Sequence, residues 1–87
     1  MNYALYQNYP NPFNPSTIFT FEMPSEDFVE LKVYNIIGKE LTVLLNQTMS
    51  AGIHKVNFDG DNFPNGIYFC KLSVGGFTET RKMILLK

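Results

Sequence analysis

The C-terminal quarter of the chain reads Gly66-Ile67-Tyr68-Phe69-Cys70-Lys71-Leu72-Ser73-Val74-Gly75-Gly76-Phe77-Thr78-Glu79-Thr80-Arg81-Lys82-Met83-Ile84-Leu85-Leu86-Lys87. Tyr68, Cys70, Leu72 and Val74 alternate with other residues at a period of two, the spacing of a strand with one buried face. Gly75-Gly76 fits a two-residue hairpin, because glycine accepts the positive φ such turns demand. A two-residue turn sets Val74 opposite Phe77, and the register of both strands follows. One face then holds Tyr68, Cys70, Leu72, Val74, Phe77, Met83 and Leu85, together with Glu79 and Arg81. The other face holds Ile67, Phe69, Ile84 and Leu86 near the end of the chain, with Lys71, Ser73, Thr78, Thr80 and Lys82 beyond. Both faces are therefore apolar at that end. A two-layer sandwich buries only one face of each sheet. Either the N-terminal arm covers the second apolar patch, or Ile67, Phe69, Ile84 and Leu86 form an exposed docking surface of the kind such patches usually mark.

Upstream, further strand signals follow one another. Phe19, Phe21 and Met23 alternate with Thr20 and Glu22, and Pro24-Ser25-Glu26-Asp27 is a turn. Val29, Leu31 and Val33 alternate with Glu30, Lys32 and Tyr34. The stretch from Ile36 to Leu45 is ambiguous, since Ile37, Leu41, Leu44 and Leu45 also fit one face of a short helix. Gly38-Lys39 interrupts that pattern, which favours a strand over residues 40–45. Ser50-Ala51-Gly52 turns the chain, and His54, Val56 and Phe58 alternate again. Asp59-Gly60-Asp61-Asn62 is a polar loop and Pro64-Asn65-Gly66 a tight turn. Six or seven short strands with turns every 8–12 residues predict an all-β antiparallel sandwich or barrel. Parallel pairing would need crossover helices, for which the chain has no room.

Residues 1–16 form an extended arm leading into a sandwich over residues 17–87. Pro10, Pro12 and Pro15 alternate with Asn8, Asn11 and Asn14, and proline pushes its predecessor out of the helical region. Tyr6, Tyr9 and Phe13 mark an arm that packs onto something; a flexible linker would carry fewer aromatics.

The chain has 87 residues, room for one domain with a thin core. Hydrophobic residues make up 45% and charged residues 17%, the balance of a folded domain. The net charge of −1 gives no basic surplus to neutralise a phosphate backbone, which argues against a nucleic-acid partner. The apolar runs are far shorter than the roughly 20 residues a membrane helix needs, so no membrane insertion is expected. The start of the chain has neither the basic residues nor the apolar core of a secretory signal peptide. An export signal is expected upstream of Met1 in a longer native chain.

Chemistry-bearing residues are few. His54 is the single histidine, on the face of Val56 and Phe58, and reads as a half-buried, hydrogen-bonded side chain. Cys70 is the single cysteine, set mid-strand, and reads as a core thiol; no internal disulfide can form. Asp59, Asp61 and Asn62 cluster, but the ligand order of a calcium loop is missing and a polar turn fits better. Asn46-Gln47-Thr48 matches a glycosylation sequon, a triplet that recurs by chance. No enzyme, cofactor or metal emerges.

Tyr9-Pro10-Asn11-Pro12-Phe13-Asn14-Pro15-Ser16-Thr17 resembles the opening signature of the type A C-terminal sorting domain of the type IX (Por) secretion system. Val33-Tyr34-Asn35-Ile36-Ile37-Gly38, Ala51-Gly52-Ile53-His54, Phe58-Asp59-Gly60 and Asn65-Gly66-Ile67-Tyr68 resemble later family elements in order. Lys82-Met83-Ile84-Leu85-Leu86-Lys87 resembles its ending. The resemblance covers about residues 5–87. It implies a seven-stranded immunoglobulin-like sandwich that directs an upstream cargo protein across the outer membrane of Bacteroidetes and their relatives. The implied partners are the outer-membrane translocon, a sortase-like cysteine protease that removes the domain or attaches the cargo to the surface, and the fused cargo. The implied location is the periplasm in transit, then the cell surface or the exterior. The implied sorting motif is Gly66, Tyr68, Lys82, Met83, Ile84, Leu85, Leu86 and Lys87. The middle loop, Asp59–Asn65, is shorter than is common in the family. The alternative is a passive immunoglobulin-like or fibronectin-like spacer or adhesion module, since Asn-Gly-x-Tyr and paired lysines also resemble the Ig-like domain of flagellar hook-capping proteins.

Overall fold

The computed structural model describes residues 2–87. The strands in chain order are β1 (Ala4–Leu5), β2 (Ser16–Met23), β3 (Asp27–Tyr34), β4 (Glu40–Met49), β5 (Gly52–Asp59), β6 (Gly66–Val74) and β7 (Phe77–Leu85). They form two antiparallel sheets, ordered β1-β2-β5 and β4-β3-β6-β7. The sheets pack as a sandwich consistent with an immunoglobulin-like fold; the strand spacing predicted an antiparallel sandwich or barrel, and the resemblance implied the immunoglobulin-like sandwich. The core takes the inward residues of each sheet, among them Phe19, Phe21 and Met23 on β2, Val29, Leu31 and Val33 on β3, and Cys70 and Leu72 on β6. Period-two alternation places these side chains on one face of each strand.

The terminal hairpin has the register its turn dictates. Val74 pairs with Phe77, Cys70 with Arg81 and Tyr68 with Met83. Gly75 takes φ +57°, the left-handed conformation a two-residue hairpin requires.

β4 resolves the ambiguity after Ile36 and explains it. Leu31 pairs with Leu45, but Lys32 pairs with Val43, and Val33 with Thr42 while Tyr34 pairs with Glu40. Two β-bulges, at Leu44 and Leu41, each insert one residue. A bulge breaks strict alternation, so Leu41, Leu44 and Leu45 all pack against the core at a spacing that imitates a helix.

The arm joins the two sheets along one side of the sandwich. β1 pairs with β2, then Tyr9 bridges Ile18 and Phe13 bridges Leu85 in parallel. Phe13 N–H donates to Ile84 O at 2.9 Å, and Leu86 N–H donates to Phe13 O at 3.0 Å. Leu5 and Phe13 are fully buried. Asn8 and Thr17, the buried polar residues, satisfy one another at 2.9 Å, and both donate to Pro10 O. Glu79 and Arg81, charged residues on the core-facing side of β7, grip the arm's backbone. Leu5 N–H donates to Glu79 Oε1 at 2.7 Å and Arg81 Nε donates to Leu5 O at 2.8 Å. The arm thus seals the seam between the sheets and the edge of β7, where open backbone groups would otherwise face water.

Candidate functional site

The residues of the resemblance-derived sorting motif divide by strand alternation into two sets. Met83 and Leu85 are wholly buried and point into the sandwich. Lys82, Ile84, Leu86 and Lys87 point outward or lie beyond the strand. Tyr68 is only 5% exposed: its hydroxyl donates to Pro64 O at 2.5 Å, and its ring meets Phe63 edge-on at 6.1 Å. Tyr68 therefore pins the loop between β5 and β6 from within. Gly66, at φ +153°, starts β6 directly after that loop. Lys87 folds back on the same loop, its N–H donating to Asn65 Oδ1 at 2.9 Å and its Nζ to Asp61 O at 3.0 Å.

The four residues of the apolar patch lie together on the outer face of the four-stranded sheet. Ile67 pairs directly with Ile84. Phe69 follows on the same face of β6, and Leu86 continues the line of Ile84 past the end of β7. The arm does not cover them. It runs along the edge of β7, where Gln7 donates to Lys82 O and Asn11 Oδ1 accepts Ile84 N–H. Ile67 stays 37% exposed and Leu86 53% exposed; Phe69 and Ile84 are half-buried by their neighbours.

Two clefts flank the patch. One, about 250 Å³, is lined by Tyr34, Asn35, Ile36, Gly38, Phe69, Lys71 and Thr80. The other, about 400 Å³, is lined by Asn35, Ile36, Asn65, Gly66, Ile67 and Tyr68. Ile36 borders both, on the turn between β3 and β4. The sequence signal for this neighbourhood is two adjacent isoleucines in a turn bounded by Asn35 and Gly38, where polar residues are usual.

The remaining candidates take structural places. His54 is half-buried, its Nε2 within 2.7 Å of Ser50 O and its ring stacked on Phe21 at 5.3 Å. Cys70 is buried, and desolvation pushes its thiol up to about 12, so no thiolate nucleophile is present near neutrality. Asp61 N–H donates to Asp59 Oδ1, the bond of a polar turn. Among the described residues no cluster of His, Cys, Asp and Glu could hold a metal ion. No described helix is long and apolar enough to cross a membrane.

No curated protein matches the chain. Among family models, the secretion system C-terminal sorting domain matches residues 7–86. That span runs from Gln7 in the arm to Leu86 and takes in β2 to β7 together with the apolar outer patch. The chain belongs to the family of type IX secretion C-terminal sorting domains.

Proposed function

We propose that this domain carries its cargo to the type IX translocon by presenting the outer face of its terminal hairpin. Family membership makes the chain a type IX sorting signal of a secreted or cell-surface protein, with the secretion machinery and an upstream cargo as partners. The family is not an enzyme family. The observation that carries the finer reading is the uncovered patch of Ile67, Phe69, Ile84 and Leu86, which the arm bypasses although it runs beside it. An apolar patch left open next to available cover supports the reading of a docking surface. In this reading Gly66, Tyr68, Met83 and Leu85 hold the hairpin in shape, and Lys82, Ile84, Leu86 and Lys87 meet the partner.

The cargo passes the periplasm and reaches the cell surface, where a sortase-like cysteine protease removes the domain or attaches the cargo. Within the described residues, 2–16 act with 17–87 as one folding unit, since Leu5 and Phe13 are buried in the shared core. A cut that leaves the domain folded therefore falls before Ala4.

The test is a periplasmic reporter fused ahead of residues 2–87 in a type IX-competent host. The reporter is expected at the surface, and to stay inside a host without the translocon. The Ile84→Ser, Leu86→Ser double variant is expected to abolish export while the domain stays folded. Export of that folded double variant at the wild-type level would overturn the docking role of the patch. Equal export with and without the translocon would instead favour a passive spacer.

A further inference from the structure

The turn between β3 and β4 is built more rigidly than a connection of its length needs. Asn35 Oδ1 accepts Ile37 N–H at 3.1 Å and Lys39 N–H at 2.9 Å. Asn35 O accepts Gly38 N–H at 3.0 Å, and Asn35 N–H donates to Lys39 O at 3.0 Å. Gly38 supports this with φ +85°, which a residue with a side chain rarely adopts. What the turn displays is apolar: Ile36 is 68% exposed and Ile37 82%. Isolated exposed aliphatics are ordinary on protein surfaces. Ile18 and Ile53 are of that kind, facing Asn57 and Glu22 across the other sheet. Ile36 differs because it lines one cleft with Phe69 and another with Ile67, which joins the turn to the hairpin patch. A fixed turn lowers the ordering cost of binding, so it favours association where a mobile loop would not.

The charges around it that take part in no ion pair have one sign. Lys71 lines the first cleft, and Lys82 sits opposite Phe69 in the register of β6 and β7. Among the described residues Lys39, Lys71 and Lys82 take part in no ion pair, while Lys32 is held by Glu30 at 3.4 Å and Glu40 at 3.1 Å. The carboxylates on this face are thus engaged, and the free groups are cationic.

We propose that the Asn35–Lys39 turn is the second half of the docking surface, and that its partner is a protein surface presenting aliphatic or aromatic side chains beside carboxylates. The partner's apolar side chains seat in the clefts on either side of Ile36, Ile37 enters a recess of the partner, and the carboxylates meet Lys71 and Lys82. This extends the sorting reading and rests on it. Apolar anchors supply affinity in such contacts, and charge pairs at the rim set orientation and encounter rate.

The test uses the same reporter fusion in a type IX-competent host. Export of the unaltered fusion establishes the sorting reading independently. Against that baseline, Ile36→Ser with Ile37→Ser is expected to lower surface reporter by at least about tenfold, as loss of an interface anchor does. Lys71→Glu is expected to lower it in the same direction, whereas Lys55→Glu on the other sheet leaves it unchanged. Ile37→Asp alone guards against misfolding, since a side chain this exposed supports little of the fold. Thermal melting of each purified variant is expected to match the unaltered domain. Full export of the folded isoleucine variants overturns the turn's role while leaving the sorting reading intact. Failure of the unaltered fusion overturns both.

Discussion

Phe13→Ala is the sharpest probe of how the arm holds this domain together. The ring is 1% exposed and meets Phe58 edge-on at 5.9 Å between centroids. Truncating a buried phenylalanine costs about 3–5 kcal/mol through lost transfer energy and the cavity left behind. Roughly 0.5–1.5 kcal/mol of that comes from the aromatic pair. At about 0.05–0.15 kcal/mol per residue, a domain of this length has about 4–13 kcal/mol in total. The substitution therefore removes about a quarter or more of the stability, and at the bottom of that range it unfolds the protein. The melting temperature is expected to fall by about 12–40 °C, using 4–8 °C per kcal/mol for a domain this small. Urea denaturation followed by far-UV circular dichroism measures the loss directly, with the denaturant slope reporting whether one cooperative unit still unfolds. A loss under about 1 kcal/mol with an unchanged slope would refute the claim that the arm belongs to the core.

Two further outcomes follow from crowding and burial. A Cβ at Gly60 would stand 3.0 Å from Leu85 Cδ2, 3.1 Å from Phe13 Cε2 and 3.2 Å from Pro15 O. Gly60→Ala should therefore destabilise by about 1–3 kcal/mol through overpacking, and a neutral result in chemical denaturation would show that the arm gives way freely. The Cys70 thiol is raised by burial from its ordinary value of 9.0 to about 12. The unfolded chain gives up this proton from about pH 9 while the folded domain keeps it. Stability from this group is thus complete below pH 9 and falls between pH 9 and 12, with a limiting slope of about 1.4 kcal/mol per pH unit. Cys70→Ala should flatten that fall relative to the parent, and parallel pH profiles would count against it.

The hairpin around Gly75-Gly76 was legible because a two-residue turn leaves one register and alternation does the rest. Its two faces, including the outward set of Ile67, Phe69, Ile84 and Leu86, follow from local chemistry alone. β4 was only half legible: its bulges at Leu41 and Leu44 are compensated by β3, a partner distant in the chain, so the apolar spacing imitated a helix. The prolines of the arm excluded a helix and its aromatics implied packing. They could not say that Phe13 enters the core beside Phe58, or that Leu5 is gripped by Glu79 and Arg81 more than 70 residues away.

By itself, then, the sequence determined the strand class, the terminal register and which side chains point the same way, because those depend on neighbours two residues apart. Which apolar face is sealed and which stays open depended on where the arm runs. The arm runs along the edge of β7 because Gln7, Asn11 and Phe13 find backbone partners there, and that leaves the outer face without the arm's cover. Only the folded chain brings the Asn35–Lys39 turn over Phe69 and Ile67, since no local rule links residues 30 positions apart.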